Sequence, residues 1–295
     1  MVATGTVTDT IDAHHHVWDL AVRDQPWMTG KAMAPIARSF SVHEFAVEAA
    51  RHGVTSSVVV QTVTDARETE ELLDLAAVTP ILAGVVGWVD VGAPDVGEQL
   101  DRLTARPGQG RLVGIRSMIQ YDPDPLWLER PSVRAGMGEV ASRGLVNELL
   151  IVPSQLRATA AAVAAVDDGR FVLDHLGKPP IASAEWRPWA DDIVSLASNE
   201  RVSVKISGLV TEADWSSWTA EDVRPYMDHA LATFGAGRVI FGSDWPVCTL
   251  AASYGDIVAL AAEFVAGLTT TEQAAILRGN AADVYSLDLS KRKAS

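Results

Sequence analysis

Val202-Ser203-Val204-Lys205-Ile206-Ser207, a helical pattern over residues 221–234, and then Val239-Ile240-Phe241-Gly242-Ser243-Asp244 read in that order as strand, helix and strand. The two short runs are rich in the β-branched residues that suit a pleated backbone. Between them apolar residues fall at three-and-four spacing, the period of a helix with one buried face. A strand, a covering helix and a second strand make a parallel pair, because the helix carries the chain back to the starting edge. The unit repeats outward along the chain. Similar runs stand at 11–16, 56–61, 82–89, 112–118, 145–151 and 171–176, so a strand starts every 26 to 45 residues. Helical patterns fill the gaps at 42–51, 68–77, 96–103, 155–166 and 189–197, and those at 254–266 and 271–285 follow the last strand. Near-continuous apolar strands belong to a sheet covered by helices. Eight units predict an α/β fold, a closed (β/α)8 TIM barrel, in a single domain over residues 1–295. The rival is an open doubly wound sheet, which ordinarily carries a glycine-rich turn after its first strand. Here that place holds His14-His15-His16.

Composition narrows the function. Of 295 residues, 48% are hydrophobic and 21% charged, which excludes a disordered or fibrous chain. A net charge of −14 repels nucleic acid and anionic membrane, so neither is expected as a partner. The basic run Lys291-Arg292-Lys293 reads as a solvated tail. A single cysteine, Cys248, excludes an intrachain disulfide and a cysteine-rich zinc site. No base neighbours it in the sequence, so it reads as packing. Residues 1–10 lack a basic stretch leading into an apolar run, and no stretch approaches the ~20 apolar residues of a membrane span. The expected location is cytoplasmic.

In a barrel of this kind the active site lies at the carboxyl ends of the strands, and the polar residues collect there. Strand one ends in His14-His15-His16 and strand two in Gln61. Strand four carries Arg116 and Ser117, strand five Asn147 and Glu148, and strand six ends in Asp174-His175. Strand seven carries Lys205 and Ser207, and strand eight ends in Ser243-Asp244. Alternation sorts them by face. His14 and His16 share one face and His15 takes the other. Val202, Val204 and Ile206 face the helices, so Lys205 and Ser207 point inward. Val113 and Ile115 are read as lying opposite Arg116, which then points inward too. Asp244 shares a face with Ile240 and Gly242.

His14, His16, His175 and Asp244 therefore form the candidate catalytic set at one barrel mouth. Singly, each has a plainer reading as a satisfied core histidine or a helix cap. Four together at the ends of three strands call for a function, because burying unpaired charge is costly. Arg116, Lys205, Asn147, Glu148 and Gln61 are candidate polar contacts to a substrate. Of nine tryptophans, Trp18, Trp27 and Trp245 stand just past strand ends, where a ring can stack on a sugar face. Trp18 and Trp27 are counted as substrate-binding candidates. Glu212-Ala213-Asp214-Trp215 is a candidate cover from the seventh loop, and His43, His52 and His229 read as surface residues.

His14-x-His16, Val172-Leu173-Asp174-His175-Leu176-Gly177-Lys178-Pro179 and Phe241-Gly242-Ser243-Asp244-Trp245-Pro246 resemble the amidohydrolase superfamily. More narrowly they are similar to its sugar-lactonase-like branch, which includes L-fuconolactone and L-rhamnonolactone hydrolases and 2-pyrone-4,6-dicarboxylate lactonase. Ile11-Asp12-Ala13-His14, Gly114-Ile115-Arg116, and Lys205-Ile206-Ser207-Gly208-Leu209 with Thr211-Glu212 add to the likeness, which spans about residues 9–287. The resemblance implies a (β/α)8 barrel that hydrolyses a cyclic ester. It implies Asp244 as the acid that activates water, with His14, His16 and His175 around the carbonyl. In the wider superfamily these positions hold one or two divalent metals. Strand five offers Asn147 or Glu148 and neither Lys nor His as a bridging ligand, so a binuclear centre is not expected. The expectation is no required cofactor, or one zinc on some of His14, His16, His175 and Asp244. Three departures cluster on strands four and five: Ser117 and Ser154 where relatives often carry His, and Asn147-Glu148 in place of an aromatic-Asp pair. They imply changed substrate recognition on a retained reaction core.

Three functions compete at this point. The first is a lactonase with Asp244 as general base, the carbonyl polarised by histidines or by one metal. Arg116 and Lys205 would hold a carboxylate or hydroxyl of the substrate. The second is a metal-dependent decarboxylase or hydratase, separable by the effect of a chelator on activity. The third is a degenerate barrel that binds a metabolite without turnover, favoured by Ser117 and Ser154 and opposed by the four retained site residues. A small-molecule substrate is the expected partner, and the sequence leaves the oligomeric state open.

Overall fold

The computed structural model describes residues 9–106 and 109–290. The basic run at 291–293 lies outside them. Eight parallel strands follow in chain order: β1 Thr10–His15, β2 Val54–Val60, β3 Leu82–Gly87, β4 Leu112–Met118, β5 Val146–Leu150, β6 Arg170–Leu173, β7 Val202–Ile206 and β8 Val239–Phe241. Each pairs with the next. The ring is completed just past the end of β8. There the His16 N–H donates to the Trp245 carbonyl at 2.7 Å, and the Asp244 N–H donates to the His14 carbonyl at 2.7 Å. The (β/α)8 barrel therefore has its seam at the mouth, and the seam consists of the candidate site residues.

The covering helices are α1 Val42–Arg51, α2 Ala66–Val78, α3 Val96–Thr104, α4 Pro131–Ser142, α5 Leu156–Ala164, α6 Trp189–Ala197, α7 Ala220–Phe234 and α8 Tyr254–Val265. Local chemistry fixes their starts. At α1, Ser41 Oγ accepts from the Glu44 N–H and Glu44 returns a bond to the Ser41 N–H, a capping box. The pattern at 271–285 is an interrupted helix: α9 Thr270–Ala274, one π turn, and α10 Asn280–Val284. None of the described helices is long and apolar enough to cross a membrane.

Two apolar layers follow from strand alternation. The outer one packs strands against helices. The inner one fills the barrel floor with Ile11, Ala13, Val58, Val60, Val86, Val146, Val172 and Ile240, plugged from below by Ala281 and Tyr285. Val113 belongs to this inner layer and not to the helix-facing set where simple alternation places it. The register slips at this point: Val85 pairs with Leu112, but Val86 pairs with Gly114. Beyond the slip, Arg116 points inward as expected.

Candidate active site

The three histidines at the end of β1 divide by face. His15 turns outward, its ring stacked on Phe45 of α1 at 3.6 Å, with Nε2 3.0 Å from Ser57 Oγ. Burial and the neighbouring His16 hold its pKa well below the ordinary value, so it is neutral packing. His15→Ala should therefore cost stability, about 1–3 kcal/mol, and leave kcat/KM near wild type, whereas His16→Ala should do the reverse. Finding His15→Ala the most damaged of the three single histidine variants in kcat/KM would refute this division.

His14 and His16 turn inward. The His16 Nδ1–H donates to the Val60 carbonyl at 2.7 Å, which turns Nε2 toward the mouth. That nitrogen stands 3.3 Å from Asp244 Oδ1 and 3.3 Å from His14 Nε2. Asp244 has a left-handed backbone, φ 59°, which turns its carboxylate over the mouth after β8 has ended. Burial pushes its carboxyl up, but His175, His16 and His14 outweigh burial and hold it well below the usual carboxylate range.

His175 arrives by a different route. Strand six is expected to run to residue 176, yet β6 stops at Leu173, because His175, Leu176, Gly177 and Lys178 are all left-handed. The turn swings the imidazole back to the mouth, with Nδ1 2.9 Å from Ser207 Oγ. Gly208, at φ +63°, makes room: a Cβ there would lie 2.6 Å from His175 Nδ1 and 3.0 Å from Asp244 Oδ2. Burial lowers the His175 pKa against the pull of Asp244 and Asp174.

Asp12, to which the sequence gives no role beyond its place in the resemblance, ties the seam together. Its Oδ1 accepts from the His14 and Ser243 N–H groups at 3.1 and 2.9 Å, and Oδ2 accepts from Tyr254 OH at 3.1 Å. Burial pushes its carboxyl up from 3.8 to about 6, against those hydrogen bonds. A carboxyl raised by folding contributes stability that is fully present below its unfolded pKa and is lost as pH rises through the folded one. Between pH 4 and 7 the wild type should lose about 2 kcal/mol through this group. Asp12→Asn can keep all three contacts and should lack that loss. Urea denaturation at both pH values measures it, and an unchanged pH slope in the variant would remove Asp12 as the source.

Beneath the mouth lies a fully buried charged layer. Lys205 Nζ stands 2.7 Å from Glu148 Oε1 and 3.1 Å from Asp174 Oδ1. Tyr285 OH, rising from below, donates to Glu148 Oε2. Arg116 donates to Asp174 Oδ2 at 3.1 Å, to the Gln61 carbonyl and to Gln61 Oε1 at 3.3 Å. Its ion-pair partner is thus Asp174 and not Glu148, its neighbour on the next strand. Burial raises the Asp174 carboxyl, but Lys205, His14 and Arg116 hold it well below the ordinary value, whereas burial and Asp174 push Glu148 up to about 7.

A cavity of about 150 Å³ opens over this layer. His16, Arg116, His175 and Asp244 line its base, and Trp27, Tyr121 and Trp215 its walls. Lys178 and Glu212, paired across two loops, line it as well. Several expected contacts lie elsewhere. Gln61, Glu148 and Lys205 are fully buried below the cavity and do not line it. His14 is also fully buried, and it meets the cavity-lining groups His16, Asp244, Arg116 and His175 without lining the cavity itself. Asn147 points outward, its amide donating to the Met137 carbonyl of α4 at 3.1 Å, as its neighbour Glu148 takes the inner face. Trp18 is buried against Phe40 and lines a separate cavity, because the chain past β1 folds back to bridge Trp18 with Phe40. Trp245 is likewise packed on Phe40 and Phe45. Neither Ser117 nor Ser154 lines the mouth cavity. Cys248 is buried, and burial with nearby Asp244 drives its thiol pKa well up. His43 is exposed, while His52 and His229 are half-buried.

Donor spacing suits a single divalent ion. His14 Nε2, His16 Nε2 and Asp244 Oδ1 stand 3.3, 3.3 and 3.7 Å apart. Donors bound tetrahedrally at zinc's ~2.0–2.1 Å stand about 3.4 Å from one another. A second set, His14, Asp174 and His175, shares His14 with the first.

The amidohydrolase family profile matches residues 11–287. An L-fucono-1,5-lactonase of Burkholderia ambifaria is 36% identical over 250 residues, covering 85% of this chain and 84% of that protein. An L-fucono-1,5-lactonase of Burkholderia multivorans is 33% identical over 288 residues, covering 94% and 96%. A crystal structure of an amidohydrolase from Burkholderia multivorans with bound zinc superposes with a TM-score of 0.89 at 33% identity, covering 95% of this chain and 100% of that one.

Proposed function

The chain belongs to the amidohydrolase family, and from that premise we propose that it is a lactonase, which opens the cyclic ester of a small sugar-derived or carboxylated acid with water. The observation that carries this reading is the Asp244 carboxylate. It lines the cavity, three histidines keep it ionised, and its left-handed backbone presents it above the barrel. A carboxylate so placed orients a water and takes its proton as the oxygen attacks the ring carbonyl. His175 and Arg116, which line the same base, supply N–H donors to the oxygen that gains charge. The proton held by Asp244 then passes to the ring oxygen as it leaves. When zinc is bound, His14, His16 and Asp244 would hold it, and it would supply Lewis-acid polarisation of the carbonyl.

Two features support a sugar lactone as the substrate class. Trp27, Tyr121 and Trp215 offer flat faces for the apolar side of a ring, and Lys178 with Glu212 offers donors and acceptors for hydroxyls. The two relatives named L-fucono-1,5-lactonase agree with it. The test is a panel of aldonolactones, L-fucono-1,5-lactone first, and aromatic-derived lactones, followed with a pH indicator because ring opening releases a proton. Saturable proton release is the expected result. A folded protein that releases no proton from any of them would overturn the proposal. Activity that survives chelation would separate it from a metal-dependent decarboxylase or hydratase.

A further inference from the structure

His14 has unlike neighbours on its two ring nitrogens. Nδ1 lies 3.1 Å from Lys205 Nζ in hydrogen-bond geometry. Nε2 lies 3.3 Å from His16 Nε2 and 3.7 Å from Asp244 Oδ1. An ammonium has three donors and no lone pair, so the contact with Lys205 requires Nδ1 to accept. A neutral imidazole that accepts at Nδ1 carries its proton on Nε2. His16 is set the other way: its Nδ1–H donates to the Val60 carbonyl, so a neutral His16 offers Nε2 as the acceptor that the His14 Nε2–H meets. The donors then run in one direction, from Lys205 through His14 and His16 to Val60. Arg116 Nη1, also donor-only, stands 3.5 Å from His14 Nε2. That is a weaker claim on the ring. It lies beyond the usual ~2.7–3.2 Å range, and the same nitrogen already donates to Asp174 at 3.1 Å.

A zinc on His14, His16 and Asp244 needs the opposite arrangement at His14. The Nε2 lone pair must be free, so the proton must sit on Nδ1, where it faces the Lys205 ammonium. The structure also holds the acceptor that this second tautomer would use: Asp174 Oδ1 is 3.3 Å from Nδ1, with the Lys205 ammonium 3.1 Å away on its other side. The ring carries one proton in both arrangements, and only its place differs. We infer that Lys205 is a positioning residue that holds His14 in the Nε2–H tautomer and so weakens zinc binding at His14, His16 and Asp244, with Asp174 as the acceptor of the zinc-bound tautomer. Glu148 and Tyr285 fix Lys205 in place, the first at 2.7 Å and the second by its bond to Glu148. The inference concerns the cation site alone and stands whatever the substrate.

Zinc dissociation constants, measured by competition with a fluorescent chelator, test it. Lys205→Met should bind zinc ~10- to 100-fold more tightly than wild type, and Asp174→Asn more weakly, the size usual for a group hydrogen-bonded to a ligating histidine. Lys205→Met combined with Glu148→Gln removes one buried charge of each sign and serves if the single variant does not fold. The double variant leaves the net charge of the layer unchanged, so tightening there is a readout that neither structural damage nor the loss of a nearby cation would produce. Long-range ¹H–¹⁵N spectra of metal-free wild-type protein, with His14 assigned from His14→Gln, should show the Nε2–H tautomer. Unchanged or weaker zinc binding in the folded Lys205 variants, or an Nδ1–H tautomer in the metal-free wild type, would overturn the inference.

Discussion

Asp244→Asn should lower kcat by about 10²–10⁴-fold, the usual loss on removing a general base, while the protein keeps its fold. The fold survives because the bonds that Asp244 gives the seam are made by its backbone, whose N–H reaches the His14 carbonyl. Asparagine also tolerates the left-handed conformation that position 244 requires. Turnover fails because an amide of the same shape cannot take a proton from water. The pH profile carries a second expectation. His175, His16 and His14 overcome burial and keep the Asp244 carboxyl ionised well below the usual range. The wild-type rate should therefore show no acid limb from this group near the ordinary carboxylate pKa. Steady-state kinetics on a lactone found by the panel, with circular dichroism to check folding, decides the matter. Near wild-type kcat in a folded Asp244→Asn protein would remove Asp244 from the chemistry.

The sequence discloses some of these residues more readily than others, for physical reasons. Alternation holds locally, so the split of His15 from His14 and His16 is legible, as is the inward aim of Lys205, even though β1 shifts register between Asp12 and His15 and turns both Ala13 and His14 inward. It also points Asp174 inward, two residues after Val172 of the inner layer. What it could not supply was the partner, since Arg116 and Asp174 meet across two strands. His175 is reached only through four successive left-handed residues, which no periodicity reports. Val113 departs from simple alternation because the register slips at it, between Leu112 and Gly114. Helix α4 gives a weak pattern because Gly136 and Gly138 interrupt it. Gly136 is needed there, since a Cβ would stand 1.8 Å from the Val91 carbonyl oxygen. Trp18 and Asn147 were assigned to the mouth by nearness in sequence, and loop folding and the strand face sent them elsewhere. Tyr285 reaches Glu148 from 137 residues away, a contact that only closure of the barrel creates.

Arg116→Met should be the most destabilising single change in the charged layer. The guanidinium neutralises Asp174, which is fully buried, and satisfies the Gln61 carbonyl. Removing one member of a buried pair typically costs about 3–5 kcal/mol, and here Lys205 alone would be left to compensate both Asp174 and Glu148. For a chain of this size that corresponds to a fall in Tm of roughly 10 °C. Arg116→Lys keeps the charge but not the planar fork, so it can serve Asp174 or Gln61 and not both. Its stability should fall by less, about 1–2 kcal/mol. Its kcat/KM should still drop, because Arg116 lines the cavity and orients a donor toward it. Pairing with Asp174 is separable from pairing with Glu148, the neighbour of Arg116 on the next strand, by double-mutant cycles. Arg116 should couple strongly to Asp174 and only weakly to Glu148, whose own cation is Lys205. A larger coupling to Glu148 than to Asp174 would mean that the charged layer is wired differently in solution. An Arg116→Lys protein with lowered stability but unaltered kinetics would make Arg116 a support for Asp174 alone. Donors to the substrate carbonyl would then reduce to His175 and the loop residue Lys178.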